Sequence, residues 1–120
     1  MFNLVSALEF FMKVAVVGSR NHLVMNLGDF LPEECDEIVS GGARGIDSCA
    51  AAYARKNNIK LTEFLPDYEK HGKNAPLIRN RQIVDYADMR IAFWDGKSGG
   101  TRFTINYARM LGMPIKIIPR

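Results

Sequence analysis

Cysteine is scarce in this sequence, and the two present are poorly placed for chemistry. Cys35 and Cys49 form no CxxC pair, and with only His22 and His71 for company they make no recognisable metal set. Cys49 stands among alanines on a predicted helix face, which reads as a small buried residue. No apolar run reaches transmembrane length. The chain has no block of lysine and arginine, no low-complexity tract and no internal repeat. Net charge is only +3 over 120 residues, with a sequence pI of about 9.0. Such mild basicity suits small anionic ligands and does not demand nucleic acid. Two familiar phosphate motifs are missing as well. There is no GxGxxG, which disfavours an ordinary dinucleotide enzyme. Gly96-Lys97-Ser98 looks like the end of a Walker A loop, but the glycine required five positions earlier is Ile91.

The opening MFNLVSALEFFM is apolar but lacks a basic start, so it does not read as a signal peptide. A reducing, cytoplasmic compartment is the expectation. Met12-Lys13 directly precedes the first predicted strand. Residues 1–11 are therefore read as an N-terminal extension, with Leu4, Leu8 and Phe11 at helical spacing, and residues 12–120 as one domain.

Nearly half the residues are hydrophobic, enough for a core without disulfide or metal staples. Short β-branched or apolar runs at 13–17, 37–40, 59–65, 90–94 and 115–118 predict five strands. Helical spacing of Ile46, Ala50, Tyr53 and Ala54 predicts a helix that ends at Asn57-Asn58. Further helices are expected over 77–87, with Ile78 and Ile83 or Val84 inward, and over 101–111, stopped by Gly112. Residues 21–34 read as a short helix and loop, and polar residues 67–76 as a loop. Strands alternating with helices argue for an α/β fold. We expect a Rossmann-like, doubly wound, mainly parallel five-stranded sheet with helices on both faces.

In such sheets ligands bind beyond the carboxyl ends of the strands, at the topological switch point. Strand order 3-2-1-4-5 would bring three unusual turns, VVGSR, IVSGGARG and FWDGKSGGT, to one crevice. Gly18, Gly41, Gly42, Gly45, Gly96, Gly99 and Gly100 would let backbone approach a phosphate. Ser19 and Ser98 add hydroxyls, Thr101 is a candidate cap or phosphate donor, and Arg20 and Arg44 are candidate anion ligands. Arg79 and Asn80, at the start of a predicted helix, are not explained by dipole complementarity and suggest closure over an anion. Asp47 and Asp95 are the acids near the expected crevice. Each turn taken singly is only a turn, Asp47 is also a candidate helix cap, and Trp94 fits the core as well as a stacking platform. The convergence carries the expectation.

GSR after strand 1, GGARGID after strand 2, RN before AD, and AFWDGKSGGT after strand 4 together resemble the SLOG superfamily. Its members include the DNA-processing protein A (Smf) proteins and the LOG-type phosphoribohydrolases. The sequence is most similar to the small YspA/cpYpsA-related (YAcAr) branch of bacteria and phages. The resemblance spans nearly everything from Met12 to Ile118. It implies a pocket for a nucleotide or nucleotide-derived ligand such as an ADP-ribose-like molecule, used for sensing or signalling. The implied contacts are Gly18, Ser19 and Arg20, then Gly41, Gly42, Ala43, Arg44 and Gly45. Arg79 and Asn80 would cover the ligand, and Asp95, Gly96, Ser98, Gly99, Gly100 and Thr101 would complete the site. LOG-type enzymes carry a glutamate three residues after the threonine of this last turn. Here that position holds Thr104, which cannot supply a carboxylate. Catalytic residues are thus unassigned, with Asp95 and Asp47 as weak substitutes for N-glycoside hydrolysis. No cofactor or metal is evident. Single-stranded DNA binding has least support, for want of a basic stripe interleaved with aromatics. The resemblance also implies pairing into a homo-oligomer.

Overall fold

Alternation along the strands decides the layering. The computed structural model describes residues 12–119. The expected N-terminal extension therefore lies outside the described residues. The strands are β1 (Met12–Gly18), β2 (Cys35–Ser40), β3 (Lys60–Glu63), β4 (Met89–Trp94) and β5 (Ile115–Pro119). They form one sheet in the order β3-β2-β1-β4-β5, and every pairing is parallel. The central strand β1 is buried from Val14 to Val17, as a strand covered on both faces must be.

Val14 and Val16 point to one face, with Ile38, Ile91 and Phe93 from neighbouring strands. Ile46, Ala50 and Ala54 of helix α1 (Ile46–Lys56) cover that face, helped by Leu27. Ala15, Val17, Val39 and Ala92 point to the other face. There they meet Ile83 of α3 (Ala75–Tyr86) and Ile105 of α4 (Gly99–Met110). Helices on both faces of an all-parallel sheet make the fold the expected α/β, Rossmann-like doubly wound one.

Five local readings differ from expectation. Within 21–34 the only helical turn is a 3-10 piece, Leu27–Phe30. Gly28 and Pro32 leave too few helix formers for more. The expected loop 67–76 instead holds a short helix, α2 (Tyr68–His71), and a 3-10 turn, Gly72–Asn74. Asp67 caps α2, its Oδ1 accepting from the Lys70 N–H at 3.1 Å. The polarity that suggested a loop was partly that cap. Ile78 is only half-buried, whereas Ile83 and Val84 face the core. Gly99 and Gly100 begin α4 rather than preceding it, and Ser98, not Thr101, is the N-cap residue. Cys49, expected buried, is half-buried; its Sγ lies 3.4 Å from the Val24 N–H.

Candidate functional site

The turn after β1 is pinned from two sides. The Ser19 N–H donates to the Phe93 carbonyl at 3.2 Å, and the Ser19 carbonyl accepts from the Ile46 N–H at 3.4 Å. The turn thus bridges β4 and the start of α1. Gly18 permits this approach, because a Cβ there would sit 2.6 Å from both Ile46 Cγ1 and the Phe93 carbonyl oxygen. Gly45 makes the matching turn before α1 with φ +74°, a region that favours glycine.

The turn after β4 is built by a carboxylate. Asp95 Oδ1 accepts from the N–H groups of Ser98 at 2.7 Å and Lys97 at 2.8 Å. These bonds hold the Asp95 carboxyl down at about 2. The Ser98 hydroxyl lies 3.0 Å from Asp95 Oδ2 and 2.9 Å from Ser19 Oγ, so the lips of the β1 and β4 turns meet through two serines. Ser98 consequently makes no side-chain cap on α4. The first backbone bond of that helix runs from the Arg102 N–H to the Ser98 carbonyl. The N–H groups of Gly99, Gly100 and Thr101 therefore precede the helical ladder and have no acceptor within it. A Cβ on Gly99 would meet nothing within 4 Å, and one on Gly100 only Asn80 at 3.9 Å, so this backbone is approachable.

Between these turns lies a crevice of about 340 Å³. Gly18, Ser19 and Arg20 form one wall; Ser98, Gly100 and Thr101 form another. Ala43, Asp47, Arg79 and Asn80 complete the polar lining. Gly41, Gly42, Arg44, Gly45, Asp95, Gly96 and Gly99 stand outside the lining. Several of these still shape it. Gly41 leaves room for Arg79, whose Nη1 would lie 2.6 Å from a Cβ there. Arg44 is exposed.

Arg79 is 6 % exposed. Its Nη1 donates to the Gly41 carbonyl at 2.5 Å and to the Phe64 carbonyl at 3.3 Å, and its Nε donates to Asn80 Oδ1 at 2.9 Å. Arg79 is thus a clamp on the ends of β2 and β3 that also borders the crevice. Burial pulls its pKa below the usual arginine value, opposed by the charge of Asp47.

The two candidate acids part company. Asp95 is spent on its own turn. Asp47 lines the crevice, 9 % exposed, with Oδ2 accepting from the Ala43 N–H at 3.1 Å. That bond folds Asp47 back onto the glycine turn instead of capping α1. Burial raises its pKa, opposed by the Ala43 N–H and the charge of Arg79. An acid with a raised folded pKa is favoured protonated, so its share of stability is present at low pH and lost as pH rises through that value. Asp47→Asn keeps the acceptor for Ala43 and removes the buried charge. It should melt higher than the parent at pH 7, and the difference should vanish in acid, as read by thermal scans from pH 3 to 8.

The sequence missed Val17, Asn21, Pro76, Leu77 and Ile83, which also line the crevice. Asn21 follows GSR directly and was within reach of the motif. The apolar four carried no chemical signal. Thr104, at the position where the resemblance would place a glutamate, lines the crevice with its hydroxyl donating to the Gly100 carbonyl at 2.9 Å. Trp94 is half-buried, its Nε1 donating to the Ser98 carbonyl at 3.1 Å, with the Arg102 guanidinium 5.5 Å from its ring centre. Among the described residues no group of His, Cys, Asp and Glu could hold a metal ion, and no helix is long and apolar enough to cross a membrane.

Residues 12–71, which carry the β1 and β2 turns, match the YspA, cpYpsA-related SLOG family. The chain belongs to that family. It is 39 % identical over 84 residues to the Gene 61 protein of Mycobacterium phage D29, covering 65 % of this chain and 67 % of the phage protein. Among solved structures, DNA processing protein A from Helicobacter pylori, described by its single-stranded DNA binding mode, superposes with a TM-score of 0.70 at 23 % identity. DNA processing protein A from Streptococcus pneumoniae gives 0.67 at 26 % identity. These superpositions cover 91 % and 92 % of this SLOG chain but only 66 % and 51 % of the two neighbours.

Proposed function

We propose that this SLOG protein binds a phosphorylated nucleotide or nucleotide-derived ligand at the carboxyl ends of β1, β2 and β4, as a sensor or signalling module. One observation carries the reading. Three N–H groups with no acceptor within the helical ladder open α4 beside the Ser19 hydroxyl and the exposed Arg20, while the Asp95 carboxylate is occupied by its own turn. Helix N-termini so arranged favour phosphate. The crevice, at about 340 Å³, sits at the small end of ligand pockets, roughly 300–1,000 Å³. It suits one nucleotide unit, and a longer ADP-ribose-like ligand would extend past Arg20 into solvent. Titration calorimetry with a panel of nucleotides tests this. Binding should appear at or below millimolar concentration, and Arg20→Ala should weaken it about tenfold, the worth of one charged hydrogen bond. If no nucleotide binds at millimolar concentration, the reading is wrong.

A second reading has support from the H. pylori neighbour, a single-stranded DNA binder. That likeness removes the ground for setting nucleic acid aside, as the sequence had suggested. The crevice is open, and Arg20, Arg44, Lys97 and Arg102 are exposed around it. On this reading a short oligonucleotide would outcompete any mononucleotide, with affinity falling steeply as salt rises. N-glycoside cleavage has less behind it: Thr104 is no carboxylate, and Asp95, held at about 2, is a poor proton donor. Asp47 would have to carry it, with release of free base as the assay.

A further inference from the structure

The core uses only part of the apolar surface of α3 and α4. Ile83 and Ile105 face the sheet. On the outer side, Phe103, Tyr107 and Met110 recur at i, i+4 and i+7 along α4, with Leu77 and Ile78 of α3 opposite them. None of these five belongs to the core packed on either face of the sheet. They line a groove of about 310 Å³ between the two helices. Met110 is 74 % exposed there, and Leu77 36 %. The floor of the groove is held in place. The Phe103 and Tyr107 rings stack with centres 6.4 Å apart and planes 4° apart, and the Tyr107 hydroxyl donates to Asp85 Oδ1 at 2.9 Å. An exposed apolar groove between helices suits an amphipathic segment with anchors at i, i+4 and i+7.

The sequence carries a segment of that kind. Residues 1–11, MFNLVSALEFF, hold eight apolar letters and one charge. Leu4, Leu8 and Phe11 repeat the spacing of Phe103, Tyr107 and Met110, so the two stripes have the same length, about 10 Å at 1.5 Å per residue. The one charge, Glu9, has a match in the groove. Arg81 lines it, is exposed, and forms no ion pair with a described residue. The tether decides whose groove the segment fills. Met12 starts the central strand, its N–H donating to Asp36 Oδ1 at 2.8 Å. The groove lies on the outer side of the helix layer, roughly one helix diameter or 10–12 Å from the sheet. Phe11 is the residue before Met12, a Cα separation of about 3.8 Å. A stripe that ends at Phe11 therefore cannot lie in the groove of its own chain.

We propose that the groove between α3 and α4 receives residues 4–11 of a second copy of this chain, in a reciprocal exchange of arms that makes a two-fold dimer. Leu4, Leu8 and Phe11 of one copy pack on the partner's Phe103, Tyr107 and Met110, with Glu9 beside the partner's Arg81. A two-fold exchange fills both grooves at once and leaves no open end. Leu77 lines the crevice as well as the groove, so the arm of one copy borders the ligand site of the other. The exchange does not depend on what the crevice binds.

Sedimentation velocity on the full chain, with Leu8→Asp in the arm and Met110→Asp in the groove, tests the exchange. The parent should sediment as a dimer at micromolar concentration. Each variant should weaken the dimer about a hundredfold or more, because a carboxylate would be buried against apolar side chains. Met110 is 74 % exposed in the single chain, so urea unfolding of both monomeric variants should match that of a parent diluted to monomer. A monomeric parent overturns the proposal, and so does a dimer that either variant leaves intact. A photo-crosslinker separates exchange from self-docking and needs no disruptive variant. Ala7→benzoylphenylalanine, beside the stripe, should join two chains, with the new bond on the α3–α4 groove of the second. Crosslinks confined to one chain, or landing between chains on another surface, overturn the exchange.

Discussion

Arg90→Ala is expected to destabilise the domain by about 3–5 kcal/mol, a large share of the roughly 5–15 kcal/mol typical of a domain. Arg90 is 4 % exposed at the start of β4. Its Nε donates to the Val84 carbonyl at 2.9 Å and its Nη1 to the Pro114 carbonyl at 3.2 Å, and Nη2 bonds the Ala87 carbonyl. One side chain thus closes the end of α3 and ties it to the approach to β5. Truncation leaves buried carbonyls without donors, each costing about 1–3 kcal/mol. Arg90→Lys should recover less than half the loss, because an ammonium cannot reproduce the planar fork that reaches several carbonyls. Urea unfolding midpoints give the comparison. Ligand affinity of the folded fraction should change little, since Arg90 lies outside the crevice lining.

Gly45→Ala should damage stability and ligand binding together. Gly45 holds φ +74°, and a Cβ there would strike the carbonyl of Arg20 and lie 2.6 Å from that of Ser19. An L-residue pays about 1–3 kcal/mol for such backbone alone. The collision must then push α1 away from the β1 turn, which carries Ser19 and Arg20. We expect a total cost near 3 kcal/mol and at least a hundredfold loss of nucleotide affinity. Gly112→Ala is the control: it has φ +69° but nothing within 4 Å of its Cβ. It should cost about 1 kcal/mol and leave affinity unchanged. If the two variants behave alike, the turn-to-turn packing has been given too much weight.

The sheet was legible because its signals are local. Runs such as KVAVV and RIAFW are short, apolar and closed by glycine or aspartate, and each became a strand within two residues of the reading. Alternation of strands and helices called for a parallel sheet with crossovers but fits more than one strand order; 3-2-1-4-5, posed only as the condition for convergence, is the order that the sheet adopts. Asp67 was less legible. A capping aspartate and a loop aspartate look alike until the Lys70 N–H is seen to point at it. Ile78 failed for a similar reason: helical spacing marks a stripe, while the packing of α3 against α4 decides which edge of the stripe is covered.

The site divides along the same line. Glycines at 18, 41, 45, 99 and 100 announced close backbone approach, and the convergence of three turns was implied by topology. The duties of the charged residues were not. Arg79 bonds a carbonyl 38 residues away, and Asp95 bonds N–H groups only two and three residues on, while Asp47 faces the crevice. All three are ordinary ionisable letters in the sequence. Backbone propensity and hydrophobic period act over a few residues, so the order of letters settles strands, helices and the place of the crevice. Whether a charge meets a carbonyl, its own turn or open space depends on which distant groups the folded sheet brings within about 3 Å of it, and that is a property of the packed chain alone.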